Sequence, residues 1–307
     1  MPVLIPGGGG SSSSSRYATR ELVEETFGHL SGYTTNVGQV TSLSESLDEA
    51  ASEFNIAEPG QVSRGVVEID YELVYVAGSS NGLCTVLPTG RGWGSSSAAT
   101  HEGGALVTFG PRFPRHAILQ AINDVIENIW PQLYGVGETT FAFQPTVFTF
   151  PLPADAVDVL AVEWDPVGPQ DSWVTIDHYR FNRNAASADF PTGRSIDLGD
   201  SLTPGRTVRV RYMKRPSAID VEQAFEDSGL AVSAWPAIMY GALHRMAASL
   251  TLGQLGVASP GANELSRVRP LNAVEVAQQY YALHVQFLEQ ERTRLQAENP
   301  IRLSFGR

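Results

Sequence analysis

The chain has 307 residues, 42% of them apolar and 18% charged, which is enough hydrophobic material for a packed core and too little charge for a disordered chain. Its 33 acidic residues against 21 basic ones give a net charge of -12, which argues against a protein whose main task is to grip phosphates. The single cysteine, Cys84, excludes an internal disulfide and a cysteine zinc cluster. No apolar run approaches the ~18 residues a membrane span needs, and the opening Met-Pro-Val-Leu-Ile-Pro lacks the charged and apolar regions of a signal peptide.

Residues 1–16, with Gly7 to Gly10 and Ser11 to Ser15, offer no side chains for a core and are expected to be a flexible tail. Residues 17–56 read as two helices. Thr19 is placed to cap the first, with Leu22, Val23, Phe27 and Leu30 on one face. Ser42 and Glu45 form a capping-box pattern for the second, continued by Leu43, Leu47, Ala50, Ala51 and Phe54. Residues 62–110 read as strands. Val66 to Val76 is rich in β-branched and aromatic side chains, Asn81-Gly82 is a hairpin signal, Leu83 to Leu87 returns, and Ala105 to Phe109 is a further short strand. Pro114 opens an amphipathic helix to Leu133, whose stripe is Ile118, Leu119, Ile122, Val125, Ile126, Ile129, Trp130 and Leu133.

Residues 139–216 change character. Short strand-like runs at 157–162, 173–176, 196–198 and 207–212, separated by turn residues, suggest a small β-sandwich or barrel. Helix returns at 233–255, with Ser233 as the cap, and again from Asn272 to Glu298, stopping before Asn299-Pro300. The fold class is therefore α+β: a helical bundle with a β-hairpin region and an inserted small β-sandwich or barrel module. The division is a tail at 1–16, a helical core domain with the hairpin region from 17–138 and 217–298, the β-module at 139–216, and an extended C-terminal tail at 299–307.

Motifs that would carry catalysis are weak. Gly78-Ser-Ser80-Asn-Gly82 fits the nucleophile-elbow pattern, but a strand follows it where that chemistry needs a helix. Gly90, Gly92 and Gly94 lack the lysine of a phosphate loop, Lys214 being the lone lysine, and read as a mobile loop. The histidines, His29, His101, His116, His178, His244 and His284, show no ligand spacing on one helix. No catalytic, cofactor or metal residue is assigned.

Signs of partner contact are stronger. Alternation over Arg206 to Arg215 puts Val208, Val210 and Tyr212 on one strand face and Arg209 and Arg211 on the other. A solvated face is the usual meaning of such a pattern, and a partner-facing strip is the alternative. The last helix carries two apolar stripes. One is Val274, Ala277, Tyr281, His284, Leu288 and Leu295, interrupted by Glu291. The other is Val276, Tyr280, Leu283 and Phe287. Burial in one core explains part of this breadth, and contact with a neighbouring subunit explains the rest. The use of arginine for 20 of the 21 basic residues reflects genome composition, interface chemistry or both.

The run Gly90-Arg-Gly-Trp-Gly-Ser-Ser-Ser-Ala-Ala-Thr-His101 leads to a strand. Pro111-Arg-Phe-Pro114 then opens a helix through Ala121-Ile-Asn-Asp124, and Tyr280-Tyr281 and Glu291-Arg-Thr-Arg-Leu295 lie in a closing helix pair. This order resembles the head-to-tail connector (adaptor) proteins of tailed bacteriophages, the actinobacteriophage type in particular. The resemblance implies a structural, non-enzymatic virion protein at the neck. It would form a homo-oligomeric ring, a dodecamer, under the portal protein and dock a stopper or other tail protein. Double-stranded DNA would pass through the lumen without specific binding, and no cofactor or membrane would be involved. The resemblance also gives the C-terminal segment a portal-docking role, with Ile301, Arg302, Leu303, Phe305 and Arg307 as its contacts. Two rivals stand beside it: a tail-associated carbohydrate- or receptor-binding protein, with Trp164, Trp173 and Tyr179 as a stacking platform, and an unrecognised hydrolase.

Overall fold

The computed structural model describes residues 18–31, 39–58, 64–165, 173–200, 202–255 and 270–300. The expected tail at 1–16 and the docking residues Ile301, Arg302, Leu303, Phe305 and Arg307 lie outside them. Among the described residues the chain is mixed α and β, with four helices and antiparallel sheets, and no helix is long and apolar enough to cross a membrane.

Helix α1 (Thr19–Ser31) buries Leu22 and Val23 and rests Phe27 and Leu30 against the same core. Thr19 does not cap it. Its N–H donates to the Gln223 carbonyl at 3.1 Å, and its buried hydroxyl has no partner among the described residues. The expected second helix is absent. In its place β1 (Gln39–Ser42) and β2 (Glu53–Asn55) are the two edge strands of a six-stranded sheet. The Leu43, Leu47 and Phe54 spacing that suggests a helix is satisfied by burial within that sheet's own core. Glu45 accepts from the Asn55 amide at 2.8 Å instead of closing a capping box.

The rest of this sheet is β3 (Gly65–Ile69), β4 (Glu72–Ser80), β5 (Leu83–Val86) and β6 (Leu106–Phe109), in the order β1-β6-β3-β4-β5-β2. Leu43 bridges Ile56, so the two edges meet and the sheet curls around Val67, Ile69, Val74 and Val107. The β4–β5 turn is the Asn81-Gly82 pair, both at positive φ (51° and 88°), the geometry that turn requires. The nucleophile-elbow pattern is thus a hairpin.

Helix α2 (Arg115–Asn128) follows Pro114 and buries Ile118, Ala121, Ile122, Val125 and Ile126. It ends before its expected limit at Leu133, because Pro131 has no N–H to continue it. Ile129 and Leu133 remain buried in the turn beyond it.

The β-module begins at β7 (Gly135–Ala142). It continues through β8 (Thr149–Pro151), β9 (Asp158–Trp164), β10 (Val174–Thr175), β11 (Tyr179–Asn182), β12 (Ser195–Leu198) and β13 (Thr207–Lys214). A four-stranded sheet, β10-β9-β13-β7, and a three-stranded sheet, β11-β12-β8, share one core of Phe150, Val162, Ile196, Leu198, Val208 and Val210. Gly137 lies opposite Tyr212 in the ladder, and a Cβ there would enter the tyrosine ring.

Helix α3 (Trp235–Leu255) and α4 (Pro270–Glu298) complete the chain. Ser233 does not cap α3. It lies in a short 3-10 turn and its hydroxyl donates to Glu291 at 3.0 Å. Residues from all four helices, together with Phe225 and Leu230, share one apolar core. Helix α4 has 29 residues, about 44 Å at ~1.5 Å per residue.

Candidate assembly surfaces

Helix α4 lies against α3 and buries Ala277, Leu288, Glu291 and Leu295. The interruption at Glu291 is a polar anchor: its carboxylate accepts from Ser233 at 3.0 Å and from Arg294 at 2.6 and 2.9 Å. Two histidines staple the helices reciprocally. The His284 ring donates to the Ala237 carbonyl at 2.8 Å and the His244 ring to the Ala277 carbonyl at 3.0 Å. The close approach depends on Gly241, where a Cβ would meet Val125 at 2.8 Å and the His284 ring at 2.9 Å.

Apolar side chains flank that inner face on both sides. One flank is the stripe expected for subunit contact. Val276 is 40% exposed, Leu283 is half-buried, and Tyr280 and Phe287 lean on Tyr240 of the same chain, Phe287 stacked at 5.5 Å between ring centres. The other flank holds Val274, Tyr281 and Val285, all exposed, with Tyr281 at 53%. The spacings of seven (276 to 283, 274 to 281) set these as two separate strips about two turns long.

On β13 the alternation is as expected, with Val208, Val210 and Tyr212 buried. The opposite face is occupied from within the chain. Arg209 pairs with Glu163 at 2.7 Å and lies 4.1 Å over the Trp173 ring. Arg211 donates to the Asn299 side chain at 2.8 Å, tying the sheet to the end of α4. Trp164 and Tyr179 pack on the module's core while Trp173 sits beneath Arg209, so the three aromatic rings do not form one stacking platform.

Sequence reasoning missed two buried carboxylates on the six-stranded sheet. Glu72, with no side-chain exposure, accepts from Arg91 at 2.7 and 2.9 Å, from the Gly92 and Ala99 N–H groups at 2.9 and 3.0 Å, and from His101 at 2.9 Å. The other His101 nitrogen bonds Asp70 at 2.8 Å. The expected mobile loop after Gly90 is therefore pinned at four places. Burial pushes the Glu72 acid upward, but these donors outweigh it and hold it near about 2. Burial disfavours the His101 cation, and its two carboxylates outweigh that and raise it to about 9. An imidazolium donating from both nitrogens is the form this geometry needs. Glu68 receives the first N–H of α2, from Arg115, and lies 3.4 Å from that guanidinium, which also pairs with Glu24 of α1. Burial dominates there and lifts Glu68 to about 7. Carboxylates flanked by a loop arginine or a helix start are invisible in sequence because their partners lie far away along the chain. Among the described residues, no group of His, Cys, Asp or Glu side chains is arranged to hold a metal ion.

A family model described as SU10 adaptor protein matches residues 97–301, a span that takes in α2, the whole β-module, α3 and α4. It does not address the actinobacteriophage type. No curated protein matches the chain.

Proposed function

The chain belongs to the SU10 adaptor protein family. From that premise, a structural adaptor role at the phage neck beside portal and tail proteins, we propose that copies of it close into a dodecameric ring under the portal. The ring extends the DNA channel and docks the stopper or tail.

The observation that carries this reading is the pair of exposed apolar strips on α4. A closed ring needs two different complementary surfaces on each subunit, one for each neighbour. Val276 and Leu283 on one side of α4, and Val274, Tyr281 and Val285 on the other, supply two candidates on a helix anchored firmly to its own core. Their apolar character suits the buried centre of an interface. The net charge of -12 suits a conduit, because a wall that does not attract phosphates does not retain passing DNA. Residues Ile301, Arg302, Leu303, Phe305 and Arg307 are assigned to the portal contact, and the separate 139–216 module to the surface facing the next neck protein.

Native mass spectrometry of the purified chain, alone and mixed with its portal protein, tests the ring. The expected result is a closed oligomer. Val276→Asp combined with Val274→Asp is expected to reduce it at least tenfold while leaving circular dichroism unchanged, since both side chains are exposed. A chain that stays monomeric with and without the portal overturns the ring.

A further inference from the structure

A groove of about 350 Å³ lies where the end of α4 meets strands β9, β10 and β13. Its apolar lining includes Leu160, Ile176 and Met213, and four carboxylates, Asp158, Glu163, Asp177 and Glu298, border it against one guanidinium, Arg211. Three of those carboxylates already have cations: Asp158 pairs with Arg183, Glu163 with Arg209 and Glu298 with Arg294. Among the described residues Asp177 forms no ion pair, and it is exposed. Strand β9 also has an open edge. Strand β10 pairs with it only at Glu163 and Trp164, leaving Asp158 to Ala161 without a ladder partner on that side among the described residues.

The described chain ends at this groove. Asn299 and Pro300 are part of its wall, and the Arg211 bond to the Asn299 side chain holds the end of α4 against the sheet. Beyond Pro300 the sequence is Ile301-Arg-Leu-Ser-Phe-Gly-Arg307, apolar at alternate positions with arginine between and at the end. Seven residues reach about 23 Å when extended, well beyond the ~13 Å of the four unpaired β9 residues. A short alternating segment beside an open strand edge, with an apolar floor and an unpaired acid, has the elements of recognition by strand addition.

We propose that in the unassembled protein residues 301–307 of the same chain occupy this groove along β9, with a guanidinium of the segment on Asp177. The role of the contact rests on the adaptor reading: the groove stores the segment until an assembly partner takes it.

The test uses a chain ending at Pro300, checked by circular dichroism, and a fluorescent peptide of sequence IRLSFGR read by anisotropy. The truncated chain is expected to bind the peptide, and the full chain to bind it at least tenfold more weakly because its own segment competes. Asp177→Lys in the truncated chain is expected to weaken binding several-fold, with recovery by a peptide carrying Arg302→Glu or Arg307→Glu. Equal binding to truncated and full chains overturns the proposal, as does no binding to a folded truncated chain. Ring formation by the full chain is scored separately, so a ring that forms while the peptide assay fails overturns the groove alone.

Discussion

Glu72 is a buried carboxylate whose donors come from Arg91, His101 and two backbone N–H groups of one loop. Removing it takes the acceptor from Arg91 Nε, from one His101 nitrogen and from two amide N–H groups, while Arg91 keeps its carbonyl acceptors and His101 keeps Asp70. Breaking one partner of a buried ionic cluster costs about 3–5 kcal/mol, so Glu72→Ala is expected to lose that much in urea unfolding at pH 7. The same cluster sets a pH window. His101 titrates at about 9 in the folded chain against an ordinary 6.5, so the folded chain holds an extra proton between those values. Its stabilisation is complete below 6.5 and is lost as pH rises through about 9. Glu72 works at the other end, its contribution complete above 4.5 and lost as pH falls toward about 2. His101→Gln is expected to abolish the alkaline loss between pH 7 and 10. A variant that keeps it would place the titration elsewhere.

At the scale of elements, α3 carries apolar residues all round because it packs on α1, α2 and α4 together. At Gly241 the helices approach so closely that there is no room for a Cβ. Replacing a helical glycine by alanine normally gains about 0.5–1 kcal/mol. Here the new Cβ would press on Val125 and on the ring that donates to Ala237, and overpacking of this kind costs about 1–3 kcal/mol. Gly241→Ala is therefore expected to lower the melting temperature, and a rise would show that α4 shifts freely on α3. The helical elements were largely legible in sequence, because the stripe of α2 and the start of α4 follow local periodicity. The helix expected over residues 42–54 fails for the converse reason. Its apolar spacing was real, but the partners that use it, Cys84, Val86 and Val107, come from strands 30 to 60 residues on, and non-local pairing overrode a local pattern.

Among the described residues there are three apolar cores, joined by apolar side chains such as Tyr71, Leu160 and Met213 and by polar contacts, of which Glu68 is one. It stands on β3 of the six-stranded sheet and receives the first N–H of α2 and the Arg115 guanidinium, which reaches on to α1. Its carboxyl is raised to about 7 in the folded chain from an ordinary 4.5. The folded chain thus binds an extra proton between those values, and stability from this group falls as pH rises from 4.5 to about 7. Glu68→Gln keeps an acceptor for the helix N–H and carries no charge. It is expected to flatten stability against pH across that interval, measured by urea unfolding at several pH values. An unchanged slope would assign it to another group. The proposed ring and the stored C-terminal segment belong to this scale too, since each asks one part of the chain to meet a surface built by another.

The sequence alone determined the class of this protein: acidic, rich in core material, α and β mixed, with a β-rich stretch between helices and no recognisable catalytic motif. It also determined the alternation on β13 and the Asn81-Gly82 hairpin, because both depend on residues within a few positions of one another. Only the tertiary structure decided that residues 39–42 and 53–55 are strands, that Arg209 and Arg211 are engaged within the chain, and that Tyr280 and Phe287 lean on Tyr240 while Val274 and Val276 are exposed. Each of those outcomes is a pairing between residues far apart in the chain. Periodicity shows that a side chain is apolar or charged, and only the folded neighbours determine whether it is covered or paired.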